Sequence, residues 1–193
     1  MSRDLPQALP NMQQQIDVAI YASIAPSKTP DTSTPARQAA VNFENSIRAN
    51  PVETGAFFNA NGIVITQKSG TIDRIEFDPY ELVGTTRSLF THNHPSGKSF
   101  SVQDFEMAID GDLIEMRVVT TYCRYIVKPK GAWPTFSKIE QAVQQHAPAV
   151  LQQVSALVQS CQLANGDLDK ELQHRTWILV SNDLNFHYER EPS

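Results

Sequence analysis

The sequence is poor in cysteine, with only Cys123 and Cys161 among its 193 residues. The two lie far apart and neither belongs to a CxxC pair, so the chain lacks the disulfide framework of small secreted proteins. It also lacks an apolar run approaching the ~18 residues that cross a bilayer, and it shows no N-terminal signal pattern. These absences predict a soluble, cytoplasmic protein with no membrane association.

Positive charge is also scarce. Lys and Arg number 16 against 21 Asp and Glu, which gives a formal net charge of −5, and no dense basic run is present. Because phosphate binding depends on clustered Lys and Arg, this balance predicts no nucleic-acid partner. A hydrophobic content of 40% with 19% charged residues is that of an ordinary globular protein. It excludes neither an enzyme nor a binding module.

The residue composition and the spacing of apolar residues predict three segments along the chain. Residues 1–35 are rich in Pro, Gln, Ser and Thr and are predicted to be a flexible tail or linker, with a short, weakly amphipathic helix over 12–22. Residues 36–135 are predicted to form the core, and residues 136–193 a helical C-terminal extension packed on it. The corresponding fold class is α/β (α+β), with a mixed sheet flanked by helices.

The core begins with a helix after Pro35, where apolar residues recur at helical spacing. A three-strand meander follows over 56–77, with Asn61-Gly62 as its first turn. Further elements are predicted from periodicity: a strand over 88–92, a helix over 102–109 and two strands paired around 121–122. In the extension, helices are predicted over 137–162, interrupted near Pro148, and over 166–180.

The stretch THNHPSGKSFSVQD, which begins at Thr91, concentrates metal-binding side chains. His92 and His94 are two residues apart on a predicted strand and therefore face the same side. Pro95 and Gly97 turn the chain, and the following helix returns Asp104 toward the histidines. Two imidazole nitrogens and one carboxylate oxygen suit Zn²⁺ with an open fourth position, which is typical of catalytic zinc.

Ser101 and Asp104 also have a purely structural interpretation. They match the S/T-x-x-D/E capping box, which starts a helix without any catalytic role. The two roles are compatible with each other.

The same residues resemble the motif of the JAMM (MPN+, Mov34/Pad1-type) zinc metallopeptidases, in which His-x-His-Pro precedes Ser-x-x-Asp and a Glu lies upstream. The resemblance covers roughly residues 36–130 and implies a cytidine-deaminase-like sheet. It implies His92, His94 and Asp104 as zinc ligands and Ser101 as a group that stabilises the oxyanion. The form HNHPSG-x-x-FS-x-x-D also looks like a bacterial and phage subgroup, and its loop is one residue shorter than the commoner family form.

Peptide hydrolysis needs a general base, and a carboxylate suits that task. Glu53 lies just before the first predicted strand, where the family places its Glu, although an exposed Glu at a helix-to-strand junction is also ordinary. The alternatives for the base are Glu44, Glu76 and Glu81. In the connecting loop, Lys98, Ser99 and Phe100 are candidate substrate contacts.

The leading interpretation is a zinc-dependent hydrolase of peptide or isopeptide bonds, acting on a protein or peptide substrate such as a ubiquitin-like conjugate. The alternative is a catalytically inactive MPN-like module that recruits partners, since fold alone does not establish function. A metal nuclease is disfavoured by the acidic chain. Apolar residues of the extension recur at near-helical spacing, which predicts packing on the sheet or on a second copy of the chain.

Overall fold

The computed structural model describes residues 29–192. Its helices are α1 (Pro35–Ile47), α2 (Val102–Asp110), α3 (Phe136–Gln159) and α4 (Leu168–Asp183). Its strands are β1 (Thr54–Phe58), β2 (Val64–Ser69), β3 (Leu89–Asn93), β4 (Glu115–Val119), β5 (Cys123–Pro129) and β6 (Phe186–Pro192). A short 3₁₀ turn at Asn165–Asp167 precedes α4.

The six strands form one mixed sheet in the order β2-β1-β3-β4-β5-β6. All neighbouring pairs are antiparallel except β3 and β4, which run parallel and are joined through α2. The predicted mixed sheet flanked by helices is therefore confirmed. Because β3 and β4 are parallel, their carboxyl ends meet at one edge, and this is the place where open α/β sheets commonly bind ligands.

Helices cover both faces of the sheet, because neighbouring residues of a strand point to opposite sides. On one face, Ala40 of α1 packs with Phe58 and Leu89. On the other face, Phe57 and Phe90 belong to a larger cluster that also includes residues of α2, α3 and α4. The site described below lies on this second face.

The first turn of the predicted meander is present, but the prediction of a third strand is wrong. β1 and β2 form the hairpin around Asn61-Gly62. Residues 71–77 instead form an irregular segment that begins with a turn, in which the Thr71 N–H donates to the carbonyl of Arg74 at 2.9 Å. No strand pairs with the outer edge of β2 among the described residues. The apolar side chains of Ile75 and Phe77 instead pack over the sheet face, where the ring of Phe77 meets those of Phe57 and Phe90.

The strand at 88–92, the helix at 102–109 and the paired strands around 121–122 are confirmed by β3, α2 and the β4–β5 pair. The predicted interruption near Pro148 is wrong, because α3 runs through Pro148 without a break. Proline removes one backbone hydrogen bond, but buried Val150 and Val154 anchor the following turns in a cluster with Leu163.

The C-terminal extension also contains a strand that the sequence reading did not predict. β6 pairs with β5 from Phe186 to Pro192 and completes the sheet. Trp177 and Phe186 belong to the same core cluster as Phe57 and Phe90. The predicted helix over 12–22 and most of the predicted tail lie outside the described residues, and within the described range no helix is long and apolar enough to span a membrane.

A buried ion network joins α1 to the sheet on the face away from the histidines. Glu44 is fully buried and accepts hydrogen bonds from Arg117 at 2.6 Å, Arg124 at 2.7 Å and Thr91 at 3.0 Å. Arg117 also donates to Glu115 at 2.9 Å. Each charge is paired and hydrogen-bonded, which offsets the cost of removing it from water. Glu44, an alternative candidate for the base, is therefore a structural residue.

We expect Glu44→Ala to lower the free energy of unfolding by about 3–5 kcal/mol, because it leaves two buried guanidinium groups without their shared partner. Urea unfolding monitored by circular dichroism measures the change. Glu140→Ala, at an exposed position of α3, is the control and should stay within about 0.5 kcal/mol of wild type. A Glu44→Ala variant as stable as this control would contradict the assignment.

His174 of α4 is a buried neutral imidazole. It is 2% exposed, and its Nδ1 lies 2.8 Å from the hydroxyl of Tyr188 on β6. Burial, assisted by the charges of Arg190 and Arg175, lowers the pKa of His174 well below its usual value. Below pH ~6.5 the unfolded chain therefore binds a proton at this position that the folded chain does not.

The stability that this histidine contributes is thus present above pH ~6.5 and is lost as the pH falls. Between pH 7.5 and 5.5 the loss should be about 1.4 kcal/mol. In His174→Asn, where the amide replaces Nδ1, we expect this part of the pH dependence to disappear from urea unfolding curves. Equal pH dependence in wild type and His174→Asn would refute this account.

Candidate metal centre

Strand β3 places the two histidines. It is buried along its whole length and is paired on one side with β1 and on the other with β4. His92 points to the face covered by α2, and the chain continues in register through His94, whose N–H donates to the carbonyl of Val119 at 3.0 Å. The i, i+2 spacing on a strand therefore brings both imidazoles to the same side, as predicted.

Asn93, between the histidines, fixes the segment that carries Glu53. Its side-chain oxygen accepts from the N–H of Thr54 at 2.7 Å, and its amide group donates to the carbonyls of Asn50 at 3.2 Å and Val52 at 3.1 Å. The backbone of Glu53 also pairs with the turn after β2 through Thr71 at 2.7 Å. Sequence reasoning assigned no role to Asn93; its only signal was its position between two proposed ligands.

Four side chains meet at the carboxyl end of β3. The Nε2 atoms of His92 and His94 are 2.9 Å apart, and Asp104 Oδ1 lies 3.2 Å from His92 Nε2. His94 Nε2 lies 3.6 Å from Asp104 Oδ2 and 3.6 Å from Glu53 Oε1. The ligand atoms of Glu53, His92 and His94 all lie within 4.8 Å of one another. This buried group can hold a metal ion.

The separations suit a small cation. Four donors arranged tetrahedrally at ~2.0–2.1 Å from one ion would be about 3.3 Å apart. Among the predicted ligands His92, His94 and Asp104, the observed separations of 2.9 to 3.6 Å bracket that value. Two imidazoles with carboxylates form a donor set that zinc accepts readily.

The tautomer of His94 is fixed by its backbone partners. Its Nδ1 lies 2.8 Å from the carbonyl of Ser99 and 3.2 Å from that of Lys98. Because a carbonyl oxygen only accepts, Nδ1 carries the proton, and Nε2 of the neutral ring directs its lone pair at the cluster. Such an outer hydrogen bond is typical of metal-binding histidines. By contrast, the buried Nδ1 of His92 has no partner among residues 29–192.

The electrostatic environment of the cluster shifts the pKa values of its two carboxyl groups in opposite directions. Burial raises the pKa of Glu53 to about 7, against the opposing charge of His92. Burial also opposes ionisation of Asp104, but the charge and hydrogen bond of His92 outweigh it and hold its pKa below the usual range. For His92, burial is outweighed by the charge of Asp104, so its pKa is raised. Burial lowers the pKa of His94 to about 4.

The capping box and the predicted ligand role coexist in Asp104. Its Oδ2 accepts from the N–H of Ser101 at 2.6 Å and from the Ser101 hydroxyl at 2.9 Å, and α2 begins with this box. Its Oδ1 is the oxygen that lies nearer to His92. Oδ2 therefore starts the helix and also lies 3.6 Å from His94 Nε2, while Oδ1 faces His92.

A cavity of about 320 Å³ opens beside the cluster. Its lining includes Ser101, Gln103 and Met107 from α2 and its N-cap, residues 72–75 of the irregular segment, and Gln173 of α4. Glu53, His92, His94 and Asp104 also line it, so a substrate in the cavity would lie beside all four side chains.

The three loop candidates have different positions. Lys98 and Ser99 line the cavity, and the Lys98 ammonium lies 3.1 Å from Asp169. The Phe100 side chain is fully buried in the core against Phe105 and does not reach the cavity, because an apolar ring gains more from the core than from solvent. The Phe100 side chain, a candidate substrate contact from the sequence, is therefore not part of the cavity lining.

The alternative bases and the other histidines lie elsewhere. Glu76 is exposed beside Arg74, and Glu81 pairs with Lys68 at 2.6 Å. His146 lies 2.5 Å from Asp183 on the paired helices α3 and α4. None of these side chains lines the cavity beside β3 within the described part of the chain.

Comparisons with family models, with curated proteins and with solved structures found no match to this chain. The JAMM-like motif is therefore a resemblance carried by a few residues, and membership of that family stays a prediction. The geometry of the cluster is independent of it.

We expect the purified protein to bind about one zinc ion per chain, since the donor set is complete and buried. His92→Ala and His94→Ala should each abolish stoichiometric binding, because each removes one of the only two nitrogen donors in the cluster. Elemental analysis after dialysis against a weak chelator measures the content. His146→Ala is the matched control and should keep the wild-type content; loss of zinc in all three variants would contradict the ligand assignment.

Proposed function

We propose that this protein is a zinc-dependent hydrolase of peptide or isopeptide bonds with a JAMM-like site. The observation that carries the proposal is the group of Glu53, His92, His94 and Asp104, which meets at the edge of an open cavity. The resemblance of HNHP and Ser-x-x-Asp to the motif of JAMM metallopeptidases supports a peptide or isopeptide bond as the bond that is hydrolysed. A protein substrate in the cytoplasm, such as a ubiquitin-like conjugate, is the corresponding partner.

His92, His94 and Asp104 would hold the ion. Zinc bound there supplies a Lewis acid and lowers the pKa of a water in contact with it to about 7. The protein contributes the fixed Nε2 lone pair of His94, oriented by Ser99, and a carboxylate oriented by the start of α2. These supports keep the donors in place before any substrate arrives.

Glu53 is the proposed proton carrier. Its carboxylate lies at the cluster, and the backbone around it is fixed by Asn93 and Thr71. From this position it can take a proton from the attacking water and return it to the leaving nitrogen, which is the role of a general base and acid. Its burial beside the cavity keeps competing solvent away.

Ser101 is proposed to donate a hydrogen bond to the carbonyl oxygen of the substrate. It lines the cavity, and its hydroxyl donates to Asp104 Oδ2 in the structure. Rotation about its C–O bond would redirect this donor to an oxygen that gains charge in the transition state. In the resting protein the same hydroxyl steadies Asp104.

The second candidate is an inactive MPN-like binding module with a structural metal. The observation that favours it is the closeness of Glu53 to His94, since a fourth protein ligand would close the coordination sphere. Structural zinc sites have four protein ligands, whereas catalytic sites keep one position open. The role of Glu53 therefore separates the two candidates.

Glu53→Gln is the deciding variant. If Glu53 carries protons, the variant should keep its zinc and lose about 10²–10⁴ in kcat. Zinc content and hydrolysis should be measured together, on linear peptides and on peptides joined through a lysine side chain. Glu76→Gln, at an exposed carboxylate outside the cavity, is the matched control and should behave as wild type.

Two results would overturn the proposed role of Glu53. A loss of zinc in Glu53→Gln would make Glu53 a fourth ligand and favour the structural site. Full activity in Glu53→Gln would remove Glu53 from the reaction.

A further inference from the structure

The loop between the histidines and α2 lies along helix α4. The four consecutive residues from Gly97 to Phe100 each lie close to a residue between Asp169 and Trp177 of that helix. Lys98 lies beside Asp169, the hydroxyl of Ser99 donates to Gln173 at 3.4 Å, and the carbonyl of Phe100 accepts from Trp177. Gly97 belongs to the same series.

Gly97 shows how closely the loop approaches α4. Its φ of +76° is one that residues with a side chain rarely adopt, and its N–H closes a turn onto the carbonyl of His94 at 3.0 Å. A Cβ at this position would lie 3.0 Å from Cε of Lys170. Glycine therefore allows both the turn and the contact with the helix.

The strongest of these contacts is that of Trp177. Its indole N–H donates to the carbonyl of Phe100 at 2.7 Å, and the residue is only 2% exposed. Its ring stacks on Phe105 of α2 with centroids 4.2 Å apart. One side chain thus joins α4, the end of the loop and the helix that carries Asp104.

Phe100 lies between two residues that orient metal-binding groups. On one side, the carbonyl of Ser99 holds the Nδ1–H of His94. On the other side, Ser101 binds Asp104 Oδ2 through both its N–H and its hydroxyl. A shift of the Phe100 carbonyl would therefore disturb the supports of a nitrogen ligand and an oxygen ligand together.

We propose that Trp177 is a positioning residue of the metal centre, which sets the conformation of the 97–101 loop through the carbonyl of Phe100. The proposal rests on the proposed zinc site and deepens it. Trp177 does not touch the ion or the cavity, and it acts through His94 and Asp104. Outer groups of this kind change metal affinity by about 10–100-fold when they are removed.

Trp133 provides a matched control, because it has the same chemistry in the same core. Its indole N–H donates to the carbonyl of Leu113 at 2.8 Å, and its ring meets the edge of Phe105 at 6.1 Å. Among the described residues, it has no hydrogen bond or ring contact with the 97–101 loop. Trp133→Phe therefore removes an equivalent hydrogen bond and an equivalent indole but leaves the loop intact.

The test compares zinc affinity in wild type, Trp177→Phe and Trp133→Phe by competition with a chromogenic chelator. We expect the affinity of Trp177→Phe to fall about 10-fold or more, and that of Trp133→Phe to stay at the wild-type value. Wild-type affinity in Trp177→Phe, or an equal loss in both variants, would overturn the proposal. If Trp177→Phe does not fold, replacing Trp177 with benzothienylalanine keeps the ring shape and removes only the N–H.

Amide hydrogen exchange in the metal-free protein gives a second readout that does not depend on the zinc site. The N–H groups of Gly97 and Asp104 are hydrogen-bonded at the two ends of the loop. Both should exchange about 10-fold faster in Trp177→Phe, but not in Trp133→Phe. Absence of zinc from wild type would refute the proposed function, whereas unchanged exchange in Trp177→Phe would refute the role of Trp177.

Discussion

The alternation of side chains along β3 is the constraint on which the metal centre depends. His92 points to the face that carries the cavity, while Thr91 and Asn93 point the other way and tie the strand to Glu44 and to the segment before β1. A strand paired on both sides cannot slip by one residue without exchanging its two faces. The register that buries the ion network therefore also fixes the direction of the imidazoles and the position of Glu53.

Much of this arrangement was predictable from the sequence because it is local. The spacing of His92 and His94, the turn at Gly97 and the cap formed by Ser101 and Asp104 all follow from short-range rules. What the sequence could not show is long-range. The 71–77 segment has a strand-like composition but packs over the face, because its apolar ring Phe77 contacts Phe57 and Phe90 there. β6 and the anchoring role of Trp177 depend on contacts between distant parts of the chain.

Burial explains why the candidate substrate contacts in the loop have different positions. Lys98 and Phe100 are two residues apart and were equal candidates for substrate contact. The ring of Phe100 belongs to the core, and its carbonyl, not its side chain, is the part that matters at the site. Backbone groups have no signature in the residue letters, so hydrogen bonds such as those accepted by Ser99 and Phe100 are invisible before the fold is known.

The distance along the chain between His94 and Trp177 has a consequence for biosynthesis. A ribosome adds roughly 5–20 residues per second, so the histidines emerge several seconds before α4 does. During that interval the nascent polypeptide displays two imidazoles on a loop whose anchoring helix has not yet been made. We therefore expect that an ion bound at the proposed site would be acquired after translation of α4, when the loop is held against it.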